Sequence, residues 1–485
     1  MRIKNTSTVK TGWLFAVLFI SVLTLSCKKT VFSEPPGPYI SGDDDVNEWL
    51  EKNMRYYYLW DEDIPQSLNH SLSPIEFFNS MLNRNYDRFS RIYEKPTGSA
   101  QRAFYSESEA TYDDLGFTYK LWFINNSYYA GSVLYVKKGS LAEAGGLKRG
   151  DIFRKVNGSV FTSPLHCQSL LGGFDIALDI LSNPEESNET YRVFFKRTPV
   201  MNENPVVMDS VYNIGSKKAG YLVYHGFTSG KTTTTQEYDL DINKTMLKFK
   251  NAGVSEVILD LRYNPGGYES SANVLCAALV PGLRSDLVFD RKKYNKTYSI
   301  DIARYYPSDG SGLFYNYFVQ SIGRESINNI GDNLNTLYVL ISGNSASASE
   351  LVINVLKVYM NVVLVGKTTH GKNVGSIRLY QQDNNDNPWE IAPIVVKTHN
   401  ANGESDYETG FAPSEANTIS ENIFLYPYGD TRDPLLARAL ELISPTERAV
   451  RTEPVHKNFY LNAIEEYSSL NEIEPVLIVD KPELP

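Results

Sequence analysis

Apolar runs of strand length alternate with amphipathic stretches between about residues 202 and 443. The strand candidates are short, aliphatic and partly β-branched, at 219–224, Glu256–Asp260, 337–341 and 362–365, and an amphipathic helix is expected near 240–252. Strands that alternate with helices are typical of a layered architecture. We therefore predict the α/β fold class, with a core domain over residues 201–445.

The composition excludes several classes of protein. The length of 485 residues suggests roughly three domains. A formal net charge of −10 disfavours nucleic acid as a partner, because such proteins usually have a basic face. Neither Cys-x-x-Cys nor His-Glu-x-x-His occurs, so we expect no metal site and no cofactor. Cys167 and Cys276 stand in apolar surroundings, and we expect them to be buried as small hydrophobic residues.

Three basic residues, an apolar run over 13–25 and then Ser26-Cys27 follow one another at the N-terminus. This order is typical of an export signal, and the run is shorter than the ~20 residues of a membrane-spanning helix. Residues 23–27 resemble a bacterial lipoprotein cleavage site. We expect a signal peptide over 1–26, a lipid anchor on Cys27 and a tether over 27–43, which would hold the protein on a membrane of a bacterial cell envelope, in the periplasm or at the outer membrane. The alternatives are an ordinary cleaved signal and a short anchor helix.

Two regions lie between the tether and the core. Residues 44–100 have apolar positions at helical spacing and predict a small N-terminal helical domain. Residues 108–200 read as short strands, with a short helix, a glycine turn and the hairpin turn Asn157-Gly158. This pattern resembles a PDZ domain. The resemblance implies that Leu115, Gly116 and Phe117 form a carboxylate-binding loop, beside which a peptide adds as a strand. The alternative is a plain strand start.

The run Ser345-Ala346-Ser347-Ala348-Ser349-Glu350 stands between a predicted strand and an apolar stripe at helical spacing. Ser347 is therefore expected at a strand-to-helix turn, near backbone N–H groups that can stabilise an oxyanion. The alternative is a capping box, in which Ser347 and Glu350 only satisfy the first backbone N–H groups of the helix.

Lys372 follows Ser347 by 25 residues, and a helix and a strand fill the interval. The chain can therefore fold back and bring the lysine beside the serine. A lysine acts as a general base only when it is neutral, so burial would have to lower its pKa from the ordinary value of about 10.4. The alternative is a solvated lysine in a loop between glycines.

Asn264-Pro265-Gly266-Gly267 comes directly after the predicted strand that ends at Asp260. A turn of this composition leaves bare backbone N–H groups at the carboxyl end of a strand, where α/β folds often bind ligands. The alternative is a turn without a function.

These three motifs together, behind the PDZ-like region, resemble the carboxyl-terminal processing (tail-specific) serine peptidases over about residues 44–443. The resemblance implies a crotonase-like core with the PDZ-like domain inserted in it or preceding it. It implies a serine endopeptidase that cleaves proteins or peptides near their carboxyl termini, which would be apolar. Ser347 would be the nucleophile and Lys372 the general base, and the N–H groups of Ala348, Gly266 and Gly267 would form the oxyanion hole.

The sequence departs from this family at two positions. Many members have Gln or Glu four residues after the lysine to orient it, where this chain has Ser376, and many have Phe where it has His370. Ser376 remains the expected orienting residue, and a Ser347–His370 couple is an alternative to the dyad. A catalytically weak or inactive scaffold that binds peptides is the alternative function. The sequence assigns no role to the tail over 446–485.

Overall fold

The computed structural model describes residues 43–94, 114–182, 189–200, 203–232, 234–305, 314–381, 387–445 and 463–479. The predicted signal peptide, Cys27 and residues 28–42 of the tether lie outside this part of the chain. The described residues form one compact unit. Within the described ranges, no helix is long and apolar enough to cross a bilayer.

The secondary structure follows the predicted alternation. The helices are α1 Asp43–Tyr57, α2 Pro74–Ser80, α3 Leu141–Ala144, α4 Pro164–Leu171, α5 Glu237–Ala252, α6 Glu269–Leu279, α7 Lys296–Tyr305, α8 Ala348–Leu356 and α9 Pro434–Ile443. The strands are β1 Arg91–Glu94, β2 Phe117–Ile124, β3 Tyr128–Val136, β4 Ile152–Val156, β5 Ser159–Val160, β6 Asp175–Leu181, β7 Thr190–Lys196, β8 Val206–Ile214, β9 Lys217–Tyr224, β10 Glu256–Asp260, β11 Gly266–Tyr268, β12 Val288–Tyr294, β13 Tyr315–Tyr317, β14 Ser321–Ile322, β15 Glu325–Ser326, β16 Thr336–Ile341, β17 Asn361–Gly366, β18 Val374–Ser376, β19 Leu379–Tyr380, β20 Trp389–Ala392, β21 Ile394–His399, β22 Ala463–Ser468 and β23 Val476–Ile478.

The central sheet of the core has the strand order β17-β16-β10-β9-β8. Its first four strands are parallel, and β8 closes the edge antiparallel to β9. Every residue of β10 and β16 is buried, as expected for parallel strands covered on both faces. The α/β architecture predicted from the alternation is confirmed. The carboxyl ends of β10 and β16 are adjacent, with Asp260 opposite Leu340, and the predicted turn and the predicted serine follow these two strands.

The β-rich region forms a sheet of order β22-β2-β3-β4-β6-β7, and β5 pairs with β4. Asn157 and Gly158 join β4 to β5 with φ values of 52° and 80°, which fits the hairpin turn predicted from this dipeptide. Cys167 lies in the apolar core of this sheet and Cys276 in the main core, and both are buried free thiols. The prediction that these two cysteines pack as small hydrophobic residues is confirmed.

The C-terminal segment takes part in two sheets, although the sequence analysis gave it no role. β22 adds to the edge of β2 in the β-rich sheet. β23 lies between β11 and β18 in a second core sheet of order β11-β23-β18-β21-β12-β13. The segment thus connects the β-rich region with the end of the core that carries the predicted site residues.

A buried network of charged groups joins the β-rich region to the core. Arg262, only 1% exposed, donates hydrogen bonds to Asp260, Asp433 and Glu421. Arg149 comes from the loop before β4 and contacts the same Glu421 carboxylate at 3.0 Å. The two guanidinium groups hold the pKa of Glu421 below its ordinary value, against the effect of its burial. The charges in the network therefore compensate one another, which buried ions require.

Candidate active site

Ser347 directly precedes α8, and its backbone has φ 61° and ψ −109°. A non-glycine residue at positive φ is strained by about 1–3 kcal/mol, and such strain is concentrated at functional sites. The residue is fully buried. Glu350 accepts a hydrogen bond from the backbone N of Ser347 at 2.8 Å, but Ser347 Oγ has no hydrogen-bond partner among the described residues. Ser347 and Glu350 thus have the arrangement of the capping box given as the alternative, but no described hydrogen bond engages the serine Oγ, which leaves the hydroxyl available for chemistry.

The loop that carries Ser347 is attached to the backbone after β10. Ser345 Oγ donates to the carbonyl of Leu261 at 2.7 Å, and Ser349 Oγ donates to that of Asn264 at 3.0 Å. These bonds bring Ser347 against Gly266. A Cβ added at Gly266 would lie only 2.8 Å from Cβ of Ser347, so no larger residue fits beside the serine. The structure thus brings the predicted turn and the predicted serine together.

The backbone groups proposed for the oxyanion hole are not equivalent. The N–H of Gly266 donates to Oδ1 of Asn264 at 2.9 Å and is already used within the turn. Gly267 has φ 140°, and a Cβ there would meet the carbonyl oxygen of Phe227 at 2.1 Å, so this position also requires glycine. The oxyanion hole of Gly266, Gly267 and Ala348, the first residue of α8, stays a prediction, in which the N–H of Gly266 is already engaged within the turn.

Glu350 connects the serine turn with the lysine loop. Its Oε2 accepts from the backbone N of Ser347 and of Lys372, both at 2.8 Å. Its Oε1 accepts from the N of Gly371 at 2.7 Å and from Oγ1 of Thr369 at 2.5 Å. Burial raises the pKa of Glu350, and the four donated hydrogen bonds counteract this by stabilising the carboxylate. One carboxyl group therefore sets the separation of the two predicted catalytic residues.

Lys372 is buried, with 3% of its surface exposed. Burial, together with the positive charge of Arg91, lowers the pKa of its amine to about 7. Nζ lies 4.9 Å from the centre of the Phe89 ring, which forms an apolar wall of the site. The alternative of a solvated loop lysine does not fit this burial. A large fraction of the amine is neutral near pH 7, as a general base must be.

The lysine amine and the serine hydroxyl are not hydrogen-bonded to each other among the described residues. Nζ donates to the carbonyl oxygen of Pro475, in the C-terminal segment, at 2.7 Å. The described part of the chain offers Ser347 Oγ no hydrogen-bond partner. Both side chains are therefore in one buried site, but the hydrogen bond that would pass the proton between them is absent from the described contacts.

The remaining predicted residues lie around this pair. Ser376 ends β18 and is buried, but it is not among the described hydrogen-bond partners of Lys372. The ring of His370 lies beside that of Phe89, with the ring centres 5.9 Å apart and the planes tilted by 52°. Since Ser347 Oγ bonds to none of the described residues, a Ser347–His370 couple is not formed here. Neither Ser376 nor His370 therefore has a side-chain hydrogen bond to the dyad among the described residues.

The predicted carboxylate-binding loop lies at the start of β2. Gly116 has φ 75°, its N–H donates to Asp114 Oδ1 at 2.8 Å, and its carbonyl accepts from the N of Lys137 at 2.8 Å. A Cβ at Gly116 would lie 2.7 Å from Cβ of Ser140, so only glycine fits the loop. Phe117 begins the strand whose edge β22 covers.

Sequence reasoning missed the N-terminal contribution to the site. Arg88 donates from Nη2 to the carbonyl of Gly371 at 2.7 Å, directly before the lysine. Phe89 packs against the lysine amine, and Arg91 acts on its pKa. The signal that could have found these residues is their position at the end of the helical region, where an Arg-Phe-Ser-Arg run follows two helices.

Comparison with known proteins adds three findings. Peptidase family S41 matches residues 218–413, and the peptidase S41 N-terminal domain matches residues 45–91. A crystal structure of a Bacteroides fragilis NCTC 9343 protein assigned to the S41 proteases has a TM-score of 0.65 and 27% sequence identity, and the alignment covers 85% of this chain and 99% of that one. The chloroplastic C-terminal processing peptidase of Tetradesmus obliquus is 24% identical over 254 residues, which are 50% of this chain and 48% of that protein. The chain thus spans about half the length of this curated relative. Both the N-terminal helices and the α/β core match, and the chain belongs to peptidase family S41.

Proposed function

We propose that this protein is a serine endopeptidase of the carboxyl-terminal processing kind, with Ser347 as nucleophile and Lys372 as general base. One observation carries the proposal: a strained, fully buried serine and a buried lysine of lowered pKa are held by the same carboxylate oxygen of Glu350. Neither the strain nor the burial of an amine stabilises the fold, so their coincidence points to chemistry.

The reaction follows from the roles of these groups. Neutral Lys372 Nζ takes the proton of Ser347 Oγ, and Oγ attacks the carbonyl carbon of the scissile peptide bond. The N–H groups of Ala348 and Gly267 stabilise the oxyanion. When the C–N bond breaks, the ammonium of Lys372 gives its proton to the leaving amine. Water, deprotonated by the same lysine, then attacks the acyl-enzyme ester and releases Ser347.

The substrate class follows from the β-rich region. A protein or peptide with an apolar carboxyl terminus would place its terminal carboxylate at Leu115, Gly116 and Phe117 and add as a strand along β2. This capture would hold the polymer while the segment just N-terminal to the captured residues reaches Ser347, so that cleavage falls near the carboxyl terminus. The second candidate function is an inactive peptide-binding scaffold, and the missing hydrogen bond between Lys372 and Ser347 favours it.

A fluorophosphonate probe, which reacts with activated serines, separates the two functions. Labelling is expected at Ser347, with a rate that rises about tenfold per pH unit below pH 7 and levels off above it, because the lysine must lose its proton to act as base. The measurement is the labelling rate between pH 5 and 9, with the modified peptide identified by mass spectrometry. Labelling of another serine, or none at any pH, would favour the scaffold.

We make a separate proposal for where in the cell this protein is located. The N-terminal pattern supports a lipoprotein anchored through Cys27 in a bacterial cell envelope, on the periplasmic side or at the outer membrane. The Cys27→Ser variant is expected to appear in the soluble fraction of a bacterial host, whereas the parent protein sediments with membranes. Equal sedimentation of both proteins would contradict the anchor.

A further inference from the structure

The C-terminal segment 463–479 follows the path that the proposed function assigns to a substrate. β22 runs antiparallel to β2, with Ile124 opposite Ala463 and Lys120 opposite Ser468. It therefore approaches the loop at Leu115–Phe117 with its carboxyl end first. This is the polarity of a peptide that adds to a sheet edge with its carboxyl terminus in such a loop.

The segment does not end at that loop but turns towards the core. Ser469 closes the turn, since its Oγ accepts from the N of Tyr119 at 2.9 Å and donates to the carbonyl of Tyr119 at 3.1 Å. Glu474 then reaches the N-terminal region, where its carboxylate contacts Arg91 at 2.8 Å and accepts from the hydroxyl of Tyr93 at 2.8 Å. The segment is thus held on both sides of the site.

The segment crosses the site between the lysine and the glycine turn. Pro475 accepts the hydrogen bond from Lys372 Nζ at 2.7 Å, and the N of Val476 donates to the carbonyl of Pro265 at 3.1 Å. A Cβ at Gly266 would lie 2.2 Å from the carbonyl oxygen of Val476 and 2.8 Å from Cβ of Ser347. A carbonyl of the segment and the nucleophilic serine therefore lie against the same glycine.

This arrangement prevents the proton transfer. The amine that should face Ser347 Oγ donates instead to Pro475, and the described contacts leave the serine hydroxyl unpartnered. A substrate strand cannot enter beside β11 while β23 pairs there. The segment must therefore leave before the dyad can close on a substrate.

The space between β11 and β18, which β23 occupies and which we call the slot, favours particular side chains in the strand that fills it. Leu477 and Val479 are 0% and 2% exposed and point to the same apolar surface. A Cβ at Gly375 would lie 3.0 Å from Cγ1 of Val479 and 3.4 Å from Cδ2 of Leu477, so the absence of a side chain at residue 375 leaves room for these two residues. A replacing strand would bury aliphatic residues at alternate positions here.

We propose that residues 463–479 are an internal occupant of the substrate path, and that an extended polypeptide with aliphatic residues two positions apart displaces them to open the site. This inference rests on the proposed peptidase function. The incoming strand restores the hydrogen bonds and apolar contacts that the segment gives up. The resting protein is closed, and a short peptide unable to replace the segment would be a poor substrate.

A disulfide that holds β23 in place tests the inference. Tyr268 and Ile478 are direct partners in the β11–β23 pair, and neighbouring strands are about 4.8 Å apart, within the range for a disulfide. In the double variant Tyr268→Cys, Ile478→Cys, oxidation is expected to lower kcat/KM for peptide hydrolysis at least about 100-fold, and reduction to restore it. The single variants Tyr268→Cys and Ile478→Cys are the matched controls and should not respond to oxidation.

Equal rates before and after reduction, in protein whose disulfide is verified by mass spectrometry, would show that β23 is a permanent strand and overturn the inference. A binding measurement separates this failure from failure of the proposed function. A fluorescent peptide with the sequence of residues 463–479 is added to the double variant that also carries Ser347→Ala. Binding to the reduced form alone supports displacement even if no variant hydrolyses peptides. Equal binding to both forms, or binding to neither, contradicts it.

Discussion

Alanine at position 347 is expected to lower kcat for peptide hydrolysis by about 10⁵-fold or more, as the removal of a covalent nucleophile does in serine peptidases. The Oγ of Ser347 lies on a turn that the side chains of Ser345 and Ser349 hold in place. The hydroxyl groups of Ser345 and Ser349 each donate a hydrogen bond to a backbone carbonyl, so neither can replace Ser347 as the nucleophile. Hydrolysis is measured with a peptide that carries an apolar carboxyl terminus. Undiminished activity would remove Ser347 from the mechanism.

The control for this variant uses the backbone strain. At φ 61° and ψ −109°, alanine is as strained as serine, whereas glycine adopts this conformation without penalty. Ser347→Gly is therefore expected to be inactive as well but more stable to urea than Ser347→Ala by about 1 kcal/mol. Loss of activity together with higher stability would show that the strained backbone at residue 347 serves the chemistry of the site and does not stabilise the fold.

Methionine in place of Lys372 is expected to lower kcat by about 10³- to 10⁴-fold, the usual contribution of a general base. Methionine fills the buried channel beside Phe89 but accepts no proton. The measurement is kcat at pH 8, where most of the parent amine is neutral. Retained activity with an unchanged pH profile would contradict the assignment of Lys372 as base.

The stability of the same variant checks that the fold is intact. The pKa of Lys372 falls from 10.5 to about 7 on folding, so the unfolded chain binds more protons between these values and the folding free energy weakens as the pH falls through this window. Lys372→Met removes this penalty. It is therefore expected to be more stable to urea than the parent at pH 7, with a difference that shrinks towards pH 10.

The elements that sequence reasoning located have local signals. β10, β16 and β17 are short apolar runs, and α8 follows a serine-rich turn with an apolar stripe, so their positions follow from periodicity. The approach of Lys372 to Ser347 could be inferred because only one helix and one strand separate them. The sequence motif predicts Glu350 only as a capping residue, whereas in the structure its side chain also links the serine turn with the lysine loop.

The parts that could not be predicted depend on contacts distant along the chain. The sequence of β22 is Ala-Ile-Glu-Glu-Tyr-Ser, in which apolar and polar residues do not alternate. β22 is an edge strand, and only one of its six residues is buried, so it needs no such pattern. The bond from Lys372 to Pro475 joins residues 103 positions apart. The engagement of the Gly266 N–H by Asn264 depends on the turn conformation, which the motif alone does not determine.

The Arg149–Glu421–Arg262 network limits how the molecule can admit a polymer. If the β-rich region rotated away from the core as a rigid body, Arg149 would leave and the Glu421 carboxylate would lose one of the two guanidinium groups that neutralise it. Breaking a buried ion pair in this way costs about 3–5 kcal/mol. Rotation of the two parts about a hinge is therefore an unfavourable way to admit a polymer. Detachment of one strand-forming segment, while the rest of the molecule stays in place, requires less free energy.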